Sequence, residues 1–312
     1  MLNRIGLLIF FISLFSCSSK KNNEVIDTPT SGKIKIAVDE SFRPLIEAEL
    51  QVFHGIYPEA EIDPVYLPEN KLFEQVVKDS VRLIISSKLF TEKEKQFFYN
   101  KNLYPKEVAI AKDAIAVLVN RDNPDSILSV DQIKQMLTGK IASWKELNSK
   151  SKLGDIQIVF DNKNSGTVRY ARDTICKGEI LSDLITALDL NTEVVDYVSK
   201  NKSSIGFIGA AWVSDRNDST QMSFLKKIRV VNISSQSNAS YDNSYQPYQA
   251  YVYNGSYPFT RMMYTISTDP HNGLPSGFVS FLASDKGQRI VLKFGIVPAT
   301  APTRVVQVRE NY

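Results

Sequence analysis

The run Asn162-Lys163-Asn164-Ser165-Gly166-Thr167 sets short polar side chains directly ahead of a helical pattern. Val168, Ala171 and Ile175 recur at helical spacing, and Gly178 is placed to close the helix at its C′ position. Two chemistries suit such a stretch. Ser and Asn side chains can accept the unpaired N–H groups of a helix start, which is capping. The same N–H groups, with the positive end of the helix dipole, can instead hold a small anion. The stretch by itself favours capping, because Ser, Asn and Gly are common cap residues whether or not anything binds.

Few other residues carry chemistry. The two histidines, His54 and His271, are far apart and belong to no HExxH or Cys/His pattern. A catalytic metal and a Ser/His/Asp triad are therefore not indicated, and no catalytic residue, metal or cofactor is expected. Cys176 falls near the apolar face of its expected helix and reads as a buried thiol. Tyr241, Tyr245, Tyr248, Tyr251, Tyr253 and Tyr257 form an aromatic tract that could stack on a sugar. Packing on a strand and loop is the simpler expectation. The formal net charge is only +3 over 312 residues, and no basic stripe with interleaved aromatics appears. Nothing points to a nucleic-acid partner.

The N-terminus reads as an address. Arg4 precedes an apolar stretch over 5–15, too short to span a bilayer as a helix. Leu14-Phe15-Ser16-Cys17 resembles the bacterial lipobox, which makes Cys17 the expected lipidation site and mature N-terminus. Residues 1–16 are then a signal peptide. Residues 17–32 are polar, lack a core pattern and read as a flexible tether.

Behind the tether, strands and helices alternate. "KIKIAV" alternates like a strand and runs into Asp39, Glu40 and Ser41; a helix opens near Pro44. "VRLIISS" is an apolar run suited to a buried parallel strand, and "EVAIAKDAIAVLVN" is a long β-type run. "SVDQIKQMLTGKIASWKEL" begins with a Ser-x-x-Gln capping box and has Gly139 after its helix. "DIQIVF" is a strand leading into the 162–167 turn, "SSIGFIG" is another, and "LPSGFVSFLASDKGQRIVLKFG" is expected as one helix. The alternation predicts an α/β fold with parallel strands.

Several of these segments, in order, resemble one family: the substrate-binding proteins of bacterial phosphate ABC transporters. "IISSKLFTEKE" resembles its strand, Ser-Arg pair and charged helix, and "LTGKIASWKEL" its Trp-containing segment. "NSGT" resembles its phosphate-holding Ser-Gly-Thr turn and "SIGFIG" its following strand. "YPFTRMMYTIS" and "ASDKGQRIVLKFGIVP" resemble its later strand and its C-terminal helix and ending. The resemblance implies a type II periplasmic-binding-protein fold, with two α/β lobes joined by a two-strand hinge and a ligand cleft between them. Lobe one would combine 33–117 with 240–303, lobe two would be 118–239, and 304–312 a tail. It also implies binding of phosphate or a similar oxyanion, delivery to an ABC transporter permease, and a monomer held to the membrane through its lipid.

By segment matching, the implied ligand residues are Ser41, Ser87, Lys88, Ser165, Gly166, Thr167 and Arg169, and Trp144 is a lobe-packing residue. With these partners in order, the ligand reading of the 165–167 turn overtakes capping. Three acids depart from the family pattern. Asp161 stands at its Arg position, and Asp39 and Glu40 stand where it has small or hydroxylic residues. A carboxylate beside a bound dianion is unfavourable, the more so in a dry cleft. Arg43, Lys88, Lys163 and Arg169 could compensate, or could simply be solvated surface charges, which for each alone is the simpler expectation. Two alternatives stay open on this ground: the same fold with a pocket changed to another small ligand or to sensing, and a hydrolase acting on phosphate esters in the cleft.

Overall fold

The structure, a computed structural model, describes residues 27–215 and 217–300. Cys17, the signal segment and the tail lie outside them. Its strands run, in chain order, β1 (Gly32–Asp39), β2 (Ala60–Leu67), β3 (Leu83–Ser86), β4 (Lys106–Asn120), β5 (Ile127–Ser129) and β6 (Gln157–Phe160). They continue as β7 (Ile185–Ala187), β8 (Ser204–Gly209), β9 (Ile228–Val230), β10 (Asn232–Ser234), β11 (Thr260–Ser267) and β12 (Val297–Pro298).

The main sheet has the order β2-β1-β3-β11-β4-β8-β6-β7. β1, β2 and β3 are parallel, as are β6, β7 and β8. β4 joins the two halves. Its residues 106–114 pair antiparallel with β11, and residues 115–119 pair antiparallel with β8. One strand therefore passes from the first lobe into the second, giving the two-lobed α/β architecture. β3 and β8 are buried along their whole length, as strands covered by helices on both faces must be.

Local signals set the helices. Pro44 sits in the first turn of the helix Arg43–Ile56, where its missing N–H costs nothing. Ser129 and Gln132 form the expected reciprocal capping box at the start of Val130–Leu137. Two expectations need correction. The single helix expected over 274–295 is two, Leu274–Ala283 and Asp285–Lys293, broken at Ser284. Ser284 has extended backbone (φ −74°, ψ 166°), and its hydroxyl caps the second helix at the Gly287 N–H. A Ser before Asp-Lys-Gly is a better cap than helix interior, and it outweighs continuous hydrophobic phasing. Gly178 is not the first left-handed residue after its helix. Lys177 takes that conformation at φ 53° and Gly178 follows at φ 83°. The helix ends there in a π-type stretch, Ala171–Ile175, in which the Cys176 N–H reaches back to the Ala171 carbonyl.

Each lobe has its own core. Phe42, Phe53, Phe278 and Ile36 belong to the first lobe's, and Trp144, Phe160, Phe207 and Val117 to the second's. Trp144 is fully buried, its indole N–H bonded to the Ser203 carbonyl at 2.8 Å, so it packs and cannot stack on a ligand. The Tyr tract divides in the same spirit: Tyr257 is buried with its hydroxyl on the Ile115 carbonyl, while Tyr245 and Tyr251 pack on each other. Tyr245, Tyr251, Val252, Tyr257 and Phe259 all pack with the second lobe's core, while Gln249 in the same stretch donates to the Leu292 and Ile296 carbonyls of the first lobe. Cys176 is buried and free, and burial pushes its thiol up to about 11. Among the described residues no helix is long and apolar enough to cross a membrane, and no His/Cys/Asp/Glu group could hold a metal.

Candidate functional site

The C-terminal ends of the parallel strands of both lobes meet at one junction, the usual place for a ligand in α/β sheets. β1 ends at Asp39 and runs into the short 3-10 turn Glu40–Phe42. β3 ends at Ser86, and β6 runs into Asp161 and the 162–167 turn. The helix Glu69–Val77, the helix Asn191–Lys200, Arg261 on β11 and Asp113 on β4 complete it.

Hydroxyls and carboxylates pair throughout. Asp39 accepts the Ser41 N–H at 3.0 Å and its hydroxyl at 2.7 Å. Arg261 donates to the Ser41 hydroxyl at 2.8 Å, pairs with Asp113 at 2.9 Å, and lies over the Phe42 ring at 4.5 Å. Across the cleft, Asp161 accepts the hydroxyls of Ser165, at 2.6 Å, and Thr167. Polar side chains tie the lobes. Asn191 donates to Glu40 and Asp161, and Arg169 pairs with Glu69, which also accepts the Ser87 hydroxyl at 2.6 Å.

Several polar atoms are left over. Among the described residues, Asp39 Oδ2, Glu40 Oε1, Asp113 Oδ1 and Arg261 Nη1 are buried without a hydrogen-bond partner. The Gly166 and Thr167 backbone N–H groups, at their helix start, have no acceptor there either. Two of these atoms, Asp39 Oδ2 and Arg261 Nη1, meet at Gly166. A Cβ placed on Gly166 would lie 2.6 Å from Asp39 Oδ2, 3.0 Å from Glu69 Oε2 and 3.2 Å from Arg261 Nη1. One placed on Gly209, at the end of β8, would lie 2.6 Å from the Ser41 carbonyl. Two bare backbone positions of the second lobe thus let the first lobe approach.

Burial sets the electrostatics. It raises Asp39, with the Arg261 charge opposing it, and pushes Glu40 up to about 7, with the Asn191 hydrogen bond opposing it. Asp113 and Asp161 are raised by burial too, offset by Arg261 and by the Ser165 hydroxyl respectively. Glu69 is the exception. Burial pushes it up, but the hydrogen bond and charge of Arg169 outweigh burial and hold it below the ordinary carboxylate value.

Of the residues expected at the ligand, Ser41, Ser87, Ser165, Gly166, Thr167 and Arg169 come together at the junction. Lys88 stands at its edge, 3.5 Å from Glu94 and 44% exposed. Ser165 also caps its helix by accepting the Val168 N–H, so the capping chemistry is present at the same turn. Arg43 takes the surface role that is the simpler expectation: it pairs with Glu47 at 2.9 Å and offers the site no charge compensation. Arg261, Glu69, Asp113 and Asn191 were not singled out by the sequence. Only the Arg within "YPFTRMMYTIS" carried a signal, and strand alternation leaves open which way it faces.

The model of the PBP superfamily domain matches residues 23–286. The chain belongs to the PBP superfamily. Among curated relatives, the phosphate-binding protein PstS of Staphylococcus aureus (strain USA300) is 24% identical over 262 residues, covering 82% of this chain and 76% of that protein. Among solved structures, a putative phosphate ABC transporter substrate-binding protein with bound phosphate from Clostridium perfringens aligns with a TM-score of 0.72 at 24% identity. That alignment covers 86% of this chain and 100% of the other. An ABC-type phosphate transport receptor from Vibrio cholerae aligns with a TM-score of 0.63 at 17% identity, over 86% of this chain and 100% of its own. These matches bear out the two-lobed fold and the family read from the ordered segments.

Proposed function

We propose that this PBP superfamily member is an extracytoplasmic solute-binding lipoprotein. It binds phosphate, or a similar small oxyanion, between its lobes and hands it to an ABC importer, without a catalytic step of its own. One observation carries the reading. The unpaired Arg261 Nη1 of the first lobe lies 3.2 Å from where a Cβ would stand on Gly166, at the helix start of the second lobe whose Gly166 and Thr167 N–H groups are free, in a superfamily whose curated relatives include proteins named for phosphate binding.

The roles differ from residue to residue. The Gly166 and Thr167 N–H groups and Arg261 bind the anion directly. The hydroxyls of Ser41, Ser165 and Thr167 donate to Asp39 or Asp161, so they shape the cradle by positioning those carboxylates and give the anion no proton while so bonded. Arg169, held with the Ser87 hydroxyl through Glu69, and Lys88 at the edge complete its cationic side. Asp39 Oδ2 has no donor; it takes the proton of a protonated oxyanion, or donates its own when neutral. Cys17 carries the lipid. The lobes meet near residue 115 of β4 and again just before β11, and the chain works as a monomer.

Calorimetric titration with phosphate and sulfate tests this reading, with Gly166→Val alongside. Phosphate should bind and stabilise the wild-type chain, and Gly166→Val should lose most of that binding while remaining folded. Absence of binding or of a melting shift at millimolar phosphate overturns it. For the anchor, Cys17→Ala should release the protein from membranes.

A further inference from the structure

Beside Ser165 a cavity of ≈ 320 Å³ opens between the lobes. Small-molecule sites run from roughly 300 to 1,000 Å³, and a bare tetrahedral oxyanion needs only a fraction of that space. The cavity has two kinds of wall. Leu72 and Ile84, each 1% exposed, and the neighbouring Phe90 give it an apolar floor on the first lobe. Lys88, Lys163, Arg169 and Arg172 bring cations to it, against the carboxylates of Glu69 and Glu94.

Those cations are not equally engaged. Arg169 is held by Glu69, Lys88 lies 3.5 Å from Glu94, and Arg172 is bonded to the exposed Asp173 at 2.7 Å. Lys163 has no ion pair among the described residues. Val168 and Arg172 are four residues apart in one helical run, so they lie on one face, with Ser165 at its start. From Ser165 to Arg172 the helix rises about 10 Å. The stripe leads from the anion turn, which exposed Lys163 flanks, past an apolar wall to exposed Arg172. That is the profile of a ligand with a phosphoryl at one end, a short carbon chain and a second acid at the other.

We propose that the cleft takes a small phosphomonoester bearing a second acidic group. Its phosphoryl occupies the Gly166-Thr167 turn, its carbon chain lies on the Leu72 and Ile84 floor, and its second acid meets Lys163 and Arg172. The assignment rests on the reading that this turn holds a phosphoryl oxyanion. Inorganic phosphate fills only the inner part of such a site.

Calorimetry on the full chain separates the possibilities, with inorganic phosphate, glycerol 3-phosphate and 3-phosphoglycerate as probes. The expected order is 3-phosphoglycerate tightest, at least about tenfold tighter than phosphate, with glycerol 3-phosphate between. In Lys163→Ser/Arg172→Ser, both surface substitutions, the advantage of 3-phosphoglycerate over phosphate should collapse toward one. Phosphate binding with no gain for 3-phosphoglycerate overturns the proposal and leaves the oxyanion reading intact. A gain that survives in the double variant overturns the cavity assignment. Failure of all three probes to bind overturns both readings.

Discussion

Gly166→Ala is the sharpest probe of the junction, because the structure separates its effect on folding from its effect on closure. Gly166 begins a helix and does not have a positive φ, so the backbone accepts alanine. Within the second lobe the change is neutral to favourable, by up to ~1 kcal/mol of helix propensity. Across the cleft it is not. The new methyl would meet Asp39 Oδ2 at 2.6 Å, well inside ordinary contact. Asp39 cannot step aside cheaply, since the Ser41 N–H and hydroxyl hold it and it is 1% exposed. Glu69 and Arg261 stand 3.0 and 3.2 Å from the same methyl, and both are tied by ion pairs. The relief is for the lobes to stay apart.

Overpacking of this kind costs about 1–3 kcal/mol. All of it falls on the closed form, so phosphate should bind about 5- to 150-fold more weakly. The ligand-free melting temperature should not fall. Calorimetry gives the affinity, small-angle scattering the separation of the lobes, and a melting curve the stability. Wild-type affinity together with wild-type compaction would refute the reasoning. Lowered stability of the ligand-free chain would show that the contact serves folding instead of closure.

Three further outcomes follow from other groups. Glu49 is fully buried, neither oxygen has a partner among the described residues, and burial pushes it from its ordinary 4.5 up to about 9. A raised carboxyl keeps its proton in the folded state, so its stabilising share is complete below pH 4.5 and is lost as pH rises toward 9. About 3 kcal/mol should go between pH 4.5 and 7, and Glu49→Gln should flatten that slope in denaturant melts at several pH values. Arg261→Met strands Asp113, which has no exposure, and should cost about 3–5 kcal/mol; adding Asp113→Leu should restore much of the stability but not the phosphate binding. Because Glu40 sits at about 7 and Asp39 is raised, both move toward neutrality as pH falls through that range. Phosphate binding at pH 7.5 should then take up protons, visible as a heat that changes with buffer ionisation enthalpy; a buffer-independent heat would remove these carboxyls from the ligand's surroundings.

The legible parts of this chain were those whose cause is local. "KIKIAV" and "SSIGFIG" are strands because β-rich apolar runs bounded by polar turns have little else to become. The Ser129–Gln132 box and Pro44 mark helix starts through bonds made within four residues. The break at Ser284 was hidden because Phe281, Leu282 and Val291 continue one apolar pattern on either side of it. The site was half legible. Ser41 and the 165–167 turn announce themselves by type and order. Asp39, Glu40 and Asp161 stand out as misfits, but their partners cannot be read locally. Arg261 pairs with Asp113 across 148 positions, and Arg169 pairs with Glu69 across 100. Such pairings exist only once the sheet order has brought β4 beside β11 and the lobes together.

The distribution of polar and apolar contact also explains how such a cleft can work. Within each lobe the contacts are those of a close-packed interior: Phe53 with Phe278 and Phe281, Phe160 stacked on Phe207 at 4.6 Å. At the cleft the lobes are held by Arg169 on Glu69, Asn191 on Glu40, and the Asn70 N–H on the Asn164 carbonyl. Breaking an apolar core means exposing it to water, and the cost scales with its area. A polar contact that opens is rehydrated, and each loses only about 1 kcal/mol net. A few such contacts, with β4 as a continuous strand between the lobes, make closure reversible while each lobe keeps its shape. The ligand then decides the balance. It supplies a partner to Arg261 Nη1 and to the Gly166 and Thr167 N–H groups, which the protein's own carboxylates leave unpaired, and it can do so only when both lobes reach it.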